Sequence, residues 1–491
     1  MRPVTQGVGA ALAVAMGLWA VSGAGCATSR PAAAPPPAAD MSLPAAPVVL
    51  AANAMQVLWN TQALIAPDSR LTAVWVVGDF LVCHGSDHRI YVIDAKTGVR
   101  LWSRDVAASH EAVWPPAIDT KGNIWLVTTT KLMGFTGREG NNLRAVAKRA
   151  AMQARVVELE TNLEDFQQRV SGAEAEPTDR NAARLVMEKA RIEIEALRDR
   201  MRSTTETEGI ELGFGPAGRP VFGGAHCYIP DAKGWLQAIS LEEGTVSWGR
   251  WTDDTVTAGP VVDNSLVYFG GRNGRVYASL QNVRSVVWQY QTEGAIVADL
   301  KRTDTGLVLA ASLDYAVYAF QGASGRLEWR HDAGEPVRRA PYAFGNQVFV
   351  LRQQAGLTAL DEAGKPQWRL PEGDDVITAD ATTVYVLGHG NDILAVDRKD
   401  GKVRFGVPLR RGTLIGTNET KTGILYLATP EGQILAVSRK RAPDEQPPAE
   451  VKPPTEVKPP AEVKPPAEET PAAEEKPAAE EKPAAAETPA P

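Results

Sequence analysis

The stretch CHGSDHRI, residues 83–90, brings together His84, Asp87 and His88, side chains of the types that hold transition metals. One turn between two strands would gather all three. A closed tetrahedral site needs a fourth donor, which the neighbouring sequence does not offer, so an exposed polar turn is the expected reading and no metal site is assigned. Cysteine chemistry is as sparse. Of Cys26, Cys83 and Cys227, the last two fall in apolar runs of strand character, in different repeats, and are expected to be buried free thiols rather than a disulfide. No catalytic residue and no cofactor site can be assigned on these grounds.

Large rings at regular intervals make a stronger pattern. Trp102, Trp248, Trp329, Trp368 and Phe405 each end a short run opened by a small residue and turned at a glycine, Trp288 ends a weaker copy without the glycine, and Trp59 sits in an orphan strand where the same ring belongs. The best copy is VIDAKTGVRLW, Val92 to Trp102, and others are AISLEEGTVSW, YAFQGASGRLEW, ALDEAGKPQW and AVDRKDGKVRF. Alternation of apolar and polar residues before the turn marks a strand, Asp94 can cap the turn, and Gly98 supplies the positive φ that a tight bulged hairpin needs. A cofactor stack needs one or two rings at one place. Rings recurring once per repeat are expected to be wedges between neighbouring sheets.

The opening column reads Val92, Gly134, Ala238, Ala278, Ala319, Ala359, Ala395 and Ala436, so the steps are 42, 104, 40, 41, 40, 36 and 41. One unit of about 40 residues therefore repeats, with one long insertion and no ring in its second copy. Two further apolar strands precede each motif, which gives four-stranded sheets. An open row of such sheets would leave bare edges, so the sheets must close into a ring. The last copy has a strand at 434–438 but no return strand, whereas MQVLWNTQAL, residues 55–64, is a strand without a sheet. The sequence thus predicts an all-β, eight-bladed β-propeller whose last blade is completed by its N-terminal strand.

The spelling A-x-D-x-x-x-G-x-x-x-W resembles the tryptophan-docking repeat of the PQQ-like β-propeller superfamily, over roughly residues 55–440. That superfamily includes quinoprotein dehydrogenases and BamB-type lipoproteins that serve outer-membrane protein assembly without catalysis. The fold follows from the resemblance, but the function does not.

Residues 1–25 read as an export signal: Arg2, an apolar core from about Val8 to Val21, then SGAG before Cys26. GAGC resembles a bacterial lipoprotein box, which implies lipidation of Cys26 and, with Ala27 following, an outer-membrane lipoprotein facing the periplasm. Residues 26–54, rich in Ala and Pro, are expected to be a tether. Residues 55–141 hold the closing strand and blades one and two, and 206–441 hold blades three to eight. Between them, 142–205 are predicted to form a coiled-coil helical hairpin. Met152, Val156, Leu159, Leu163, Phe166 and Val170 make one seam, and Val186, Ala190, Ile194, Leu197 and Met201 the other. The Pro, Ala, Glu and Lys tail, 442–491, is expected to be disordered and extended. Its 12 acids and 5 lysines between 444 and 491 account for the net charge of −7. The ring is close to neutral, and without a basic stripe nucleic-acid binding is not expected.

Two functions stay open. The first is a non-catalytic envelope scaffold whose loops, including those near Asp253, Asp254, Asp374 and Asp375, bind protein partners, an outer-membrane assembly barrel protein among them. The second is a quinoprotein alcohol dehydrogenase using PQQ and Ca²⁺. Against the second stand the lack of the adjacent cysteine pair on which many of its members stack the quinone and the lack of a C-x-x-C-H haem motif.

Overall fold

Within each repeat the large ring sits opposite the small residue of the preceding strand: Val92 pairs with Trp102, Ala238 with Trp248, Ala319 with Trp329 and Ala395 with Phe405. Immediately past each of these pairs the register slips by one residue. Such a bulge adds local twist and re-aims side chains, which lets the ring leave its own sheet for the next one.

The computed structural model describes residues 43–440 apart from 109, 172–176, 206 and 419–421. Its strands form eight antiparallel sheets, each built from strands A to D outward from a common axis. In blade one these are Leu71–Val77, Phe80–Gly85, Arg89–Asp94 and Arg100–Asp105. Thr417–Asn418 adds a short parallel strand inside blade one, against Trp75 and Val76. Blade eight takes Leu414–Ile415, Leu425–Ala428 and Gln433–Arg439 from the end of the ring, and its strand D is Met55–Gln62. Trp59 faces Ala436 across this junction, the same ring-to-small-residue pairing as in the other blades. The eight-bladed, four-stranded propeller closed by its N-terminal strand is thus the fold.

The core repeats with the blades. Each blade shares a buried apolar cluster with its successor, from Leu81, Tyr91 and Ile93 against Tyr426 and Ile434 between blades one and eight, to Ile377 and Tyr385 against Leu427 and Leu435 between seven and eight. Every sheet is therefore held on both faces, and the burial is continuous around the axis.

Three details differ from the sequence reading. Residues 44–54, read as the end of a tether, pack on the ring. Pro47 starts a helical turn, Pro47–Ala52, that lowers Leu50 to 2 % exposure among Ile377, Val407 and Val437, and the Arg410 amide donates to the carbonyl of Pro44. Blade two is interrupted rather than complete before the insertion, because its strand D, Ile210–Glu211, follows the hairpin and pairs with Lys131 and Leu132. Finally, the two arm helices are Leu143–Ser171 and Pro177–Ser203, and the seam of the second holds Met187 in place of Val186, which is 46 % exposed. With Ala183, Met187, Ala190, Ile194, Leu197 and Met201 the spacing becomes 4, 3, 4, 3, 4, the regular heptad. Val156, Leu159 and Ile194 form the buried centre of the arm, flanked by Arg155–Glu193 and Arg198–Glu160 ion pairs. No helix among the described residues is long and apolar enough to cross a membrane.

Candidate binding face and the positions that frame it

Each indole docks on the C–D turn of the following blade. Trp59 Nε1 donates to the Ala95 carbonyl at 3.0 Å, Trp102 to Gly137 at 2.9 Å and Trp248 to Gln281 at 3.1 Å. Trp288 donates to Gly322 at 2.7 Å, Trp329 to Glu362 at 2.8 Å and Trp368 to Arg398 at 2.8 Å. A glycine makes most of these contacts possible. A Cβ on Gly98, Gly140, Gly325, Gly364 or Gly401 would strike the overlying indole, and all five have positive φ. Phe405 has no N–H to donate and packs among Ile377, Leu425 and Val437 instead. The turn it faces is where the chain ends meet: the Lys440 amide donates to the Ala54 carbonyl at 2.7 Å.

Blade two has no ring, and Arg144 stands in its place. It lies four residues after Gly140, as Trp102 lies four after Gly98, and its guanidinium covers Gly244 on blade three. The same counting from the turn glycine would have found it in the sequence; a search for aromatic residues alone passes over it.

The loops joining strands B to C and D to A share the opposite face, and the sequence-predicted acidic positions sit there. Asp253 pairs with Arg275 at 3.8 Å, Asp254 accepts the Thr255 amide, Asp374 pairs with His389 at 2.9 Å, and Asp375 with Arg339 at 2.5 Å. The structure does not gather these four into one site: Asp253 and Asp254 leave blade three, whereas Asp374 and Asp375 enter blade seven. Burial beside the channel wall, reinforced by Asp374, pushes the Asp375 carboxyl above its ordinary value despite the opposing Arg339.

On the same face, Asp87 is used internally, accepting from the Tyr91 hydroxyl and the Arg89 amide. His84 contacts Thr72, its ring 6.1 Å from that of His88, and burial together with His88 lowers its pKa. No group of three metal-ligating side chains is placed to hold an ion among the described residues. Burial pushes the Cys83 thiol up to about 12 and that of Cys227 well above its ordinary range. The two lie in clusters on different flanks of the ring.

Around the axis, a cavity of about 380 Å³ is lined mainly by apolar strand-A residues, among them Val76, Ile118, Val221, Phe222 and Val261. Arg219, Asp299, Lys301 and Arg302 also line it. No local pattern marks this gathering, because the residues come from separate repeats and meet only when the blades pack around the axis.

These features define a tryptophan-docked, eight-bladed propeller with a loop-bearing face over an axial cavity, a class built to present surfaces on a rigid frame. A profile of the family described as outer membrane protein assembly factor BamB matches residues 45–250, 232–337 and 272–442, and the chain belongs to that family. The assembly factor BamB of Burkholderia pseudomallei (strain K96243) is 26% identical over 159 residues, 31% of this chain and 41% of the relative. That of Yersinia pestis is 22% identical over 198 residues, 37% of this chain and 50% of the relative. The chain thus spans half or less of the length of these curated relatives. The crystal structure of BamB from Moraxella catarrhalis superposes with a TM-score of 0.54 at 13% identity, covering 79% of this chain and 98% of that one. The computationally designed Ika8 protein superposes with a TM-score of 0.51 at 13% identity, covering 77% and 99%. At such identity these two likenesses describe the fold alone.

Proposed function

We propose that this protein is a non-catalytic scaffold of the cell envelope that holds protein partners on the B–C and D–A loop face of its propeller during outer-membrane protein assembly. Residues 1–25 serve export, and Cys26, which lies outside the described residues, carries the lipid that keeps the ring at the outer membrane facing the periplasm. The partner is a barrel protein of the assembly machinery or its periplasmic domains. One observation carries this reading: the family match runs through all eight blades, from residue 45 to 442. The geometry suits the role, since the indole docks fix the frame while loops of differing length form the face.

Photo-crosslinking groups placed at Asp253, Asp374 and Arg338 in cells, followed by identification of the captured protein, test the proposal. An outer-membrane barrel protein captured from at least one position is expected, and capture of none from any would overturn it. Mass spectrometry of the mature N-terminus tests the anchor, for which a diacylated or triacylated Cys26 is expected.

A further inference from the structure

Three cavities adjoin from the axis toward blades six and seven. The axial one, of about 380 Å³, shares Arg219, Asp299, Lys301 and Tyr342 with a second of about 450 Å³. The second shares Arg338, Arg339 and Asp375 with a third of about 500 Å³, which reaches Arg352, Gln353 and Leu387. Together they form a funnel from the loop face into the channel.

Its charge is lopsided. Six cations, Arg219, Lys301, Arg302, Arg338, Arg339 and Arg352, line it against three acids, Asp299, Asp374 and Asp375. The acids are already engaged: Asp375 with Arg339, Asp374 with His389, and Asp299 with the Gly259 amide at 2.6 Å. Arg338 is exposed and has no hydrogen bond or ion pair among the described residues. Arg352 is half-buried: its two terminal nitrogens donate to the carbonyls of Ala333 and Ala355, and its Nε is buried without a partner. Burial and the nearby Arg369 both disfavour its charge, with only Glu335 opposing. Arg338 thus faces the outer cavity with its donors free, and Arg352 lines the same cavity with donors beyond the two it uses on the backbone, in a ring that is otherwise close to neutral.

We infer that this funnel docks an acidic, extended peptide segment of a partner protein, its carboxylates on Arg338 and Arg352 and an apolar side chain in the axial cavity. Planar guanidinium forks match carboxylates two donors at a time. A run of three adjoining cavities with cations in each suits a chain with several carboxylates better than one small anion. Asp374 and Asp375 at the rim limit the positive surplus, which argues against a polyanion as dense as nucleic acid. The inference rests on the proposed function only in taking the occupant to be a protein, and it names the chemistry of the segment that the loop face takes.

The test is fluorescence anisotropy of the full chain with a labelled twelve-residue peptide alternating Glu and Val, against the same peptide with Gln for Glu. The Glu peptide is expected to bind and to weaken as salt rises. Arg338→Glu, a change at an exposed position, and the double change Arg338→Gln with Arg352→Gln should each weaken it about tenfold or more. Equal binding of the Glu and Gln peptides, or unchanged affinity in both variants at unchanged thermal stability, would overturn the inference. So would a tenfold gain on removing residues 442–491, which would give the funnel to the chain's own acidic tail. None of these results bears on crosslinking at Asp253, so failure of the funnel and failure of the scaffold reading can be told apart.

Discussion

Trp59 lies flat against Gly98: a Cβ on that glycine would come within 2.6 Å of the indole, whose Nε1 holds the carbonyl of Ala95 three residues earlier. This contact joins the first strand of the ring to the first complete blade, so it closes the circle as well as docking one blade on the next. Trp59→Ala should cost about 3 kcal/mol, the lower end for a large ring because Trp59 is only half-buried. Gly98→Ala should cost at least about 2 kcal/mol, from the positive φ of 73° and the clash with the ring. Removing the ring relieves the clash, so the double variant should lose less than the sum, which urea midpoints will read. Strict additivity would mean the two residues do not touch in solution.

Asp94 holds the turn on which Trp59 rests and is 5 % exposed. Burial alone would raise its pKa. The amides of Thr97 and Lys96, the Thr97 hydroxyl and Arg138 outweigh that and hold it below the usual carboxylate range. A depressed folded value means stability that is fully present above the unfolded pKa of about 3.9 and is lost as pH falls through the folded one. The stability gap between the native chain and Asp94→Asn should therefore be wide at pH 7 and close as pH drops below the unfolded pKa and through the folded one. A gap independent of pH would refute the role of the carboxylate charge.

Arg144 on Gly244 and Trp248 at Gln281 occupy equivalent positions on successive blades. An indole buries apolar area, whereas a guanidinium keeps much of its hydration, so the two contacts should differ in worth. Trp248→Ala, at a residue 8 % exposed, should cost about 3–5 kcal/mol. Arg144→Ala should cost about 1 kcal/mol, chiefly lost packing of its stem. Chemical denaturation of the two variants checks the ranking, and an equal loss would mean that Arg144 is as much a wedge as the tryptophans.

How much of this was legible beforehand depended on how local the signal was. The eight sheets and the closing strand could be read because ring, glycine and small residue recur within eleven positions of sequence. Arg144 breaks the column because it is not a ring, although Gly140 marks the place. Strand D of blade two carries no such signal because Ile210–Glu211 is two residues long and begins 75 residues after its partner strand ends at Phe135. Val186 and Met187 are both apolar neighbours, and only the heptad count separates the seam residue from the exposed one. The helical turn at Pro47–Ala52 looked like linker, since its one committed residue, Leu50, finds its pocket on blades seven and eight. The cations of the funnel leave no local pattern, because Arg219, Lys301, Arg338 and Arg352 come from separate repeats and meet only when the blades pack.

The helical arm should be separable from the ring if the cut respects blade two. Its buried centre, Val156, Leu159 and Ile194, is packed only by other arm residues, so the ring draws no core from it. Its base is another matter. The Asn142 side chain accepts the Ala145 amide and donates to the Glu208 carbonyl, Lys148 pairs with Glu208, and Arg149 donates to the Thr204 carbonyl. These contacts hold the two ends of the insertion together and deliver Ile210 to its strand. Replacing residues 150–201 by a short Gly/Ser linker should therefore leave ring stability within about 1 kcal/mol of the parent while far-UV circular dichroism loses most of its helical signal. Removing 142–205 entirely also takes Asn142 and Arg144 from blade two, and should cost about 2 kcal/mol more, the sum of the lost Asn142 contacts and the lost inter-blade contact of Arg144. If the shorter excision unfolds the ring as readily as the longer one, the arm is part of the propeller's folding unit.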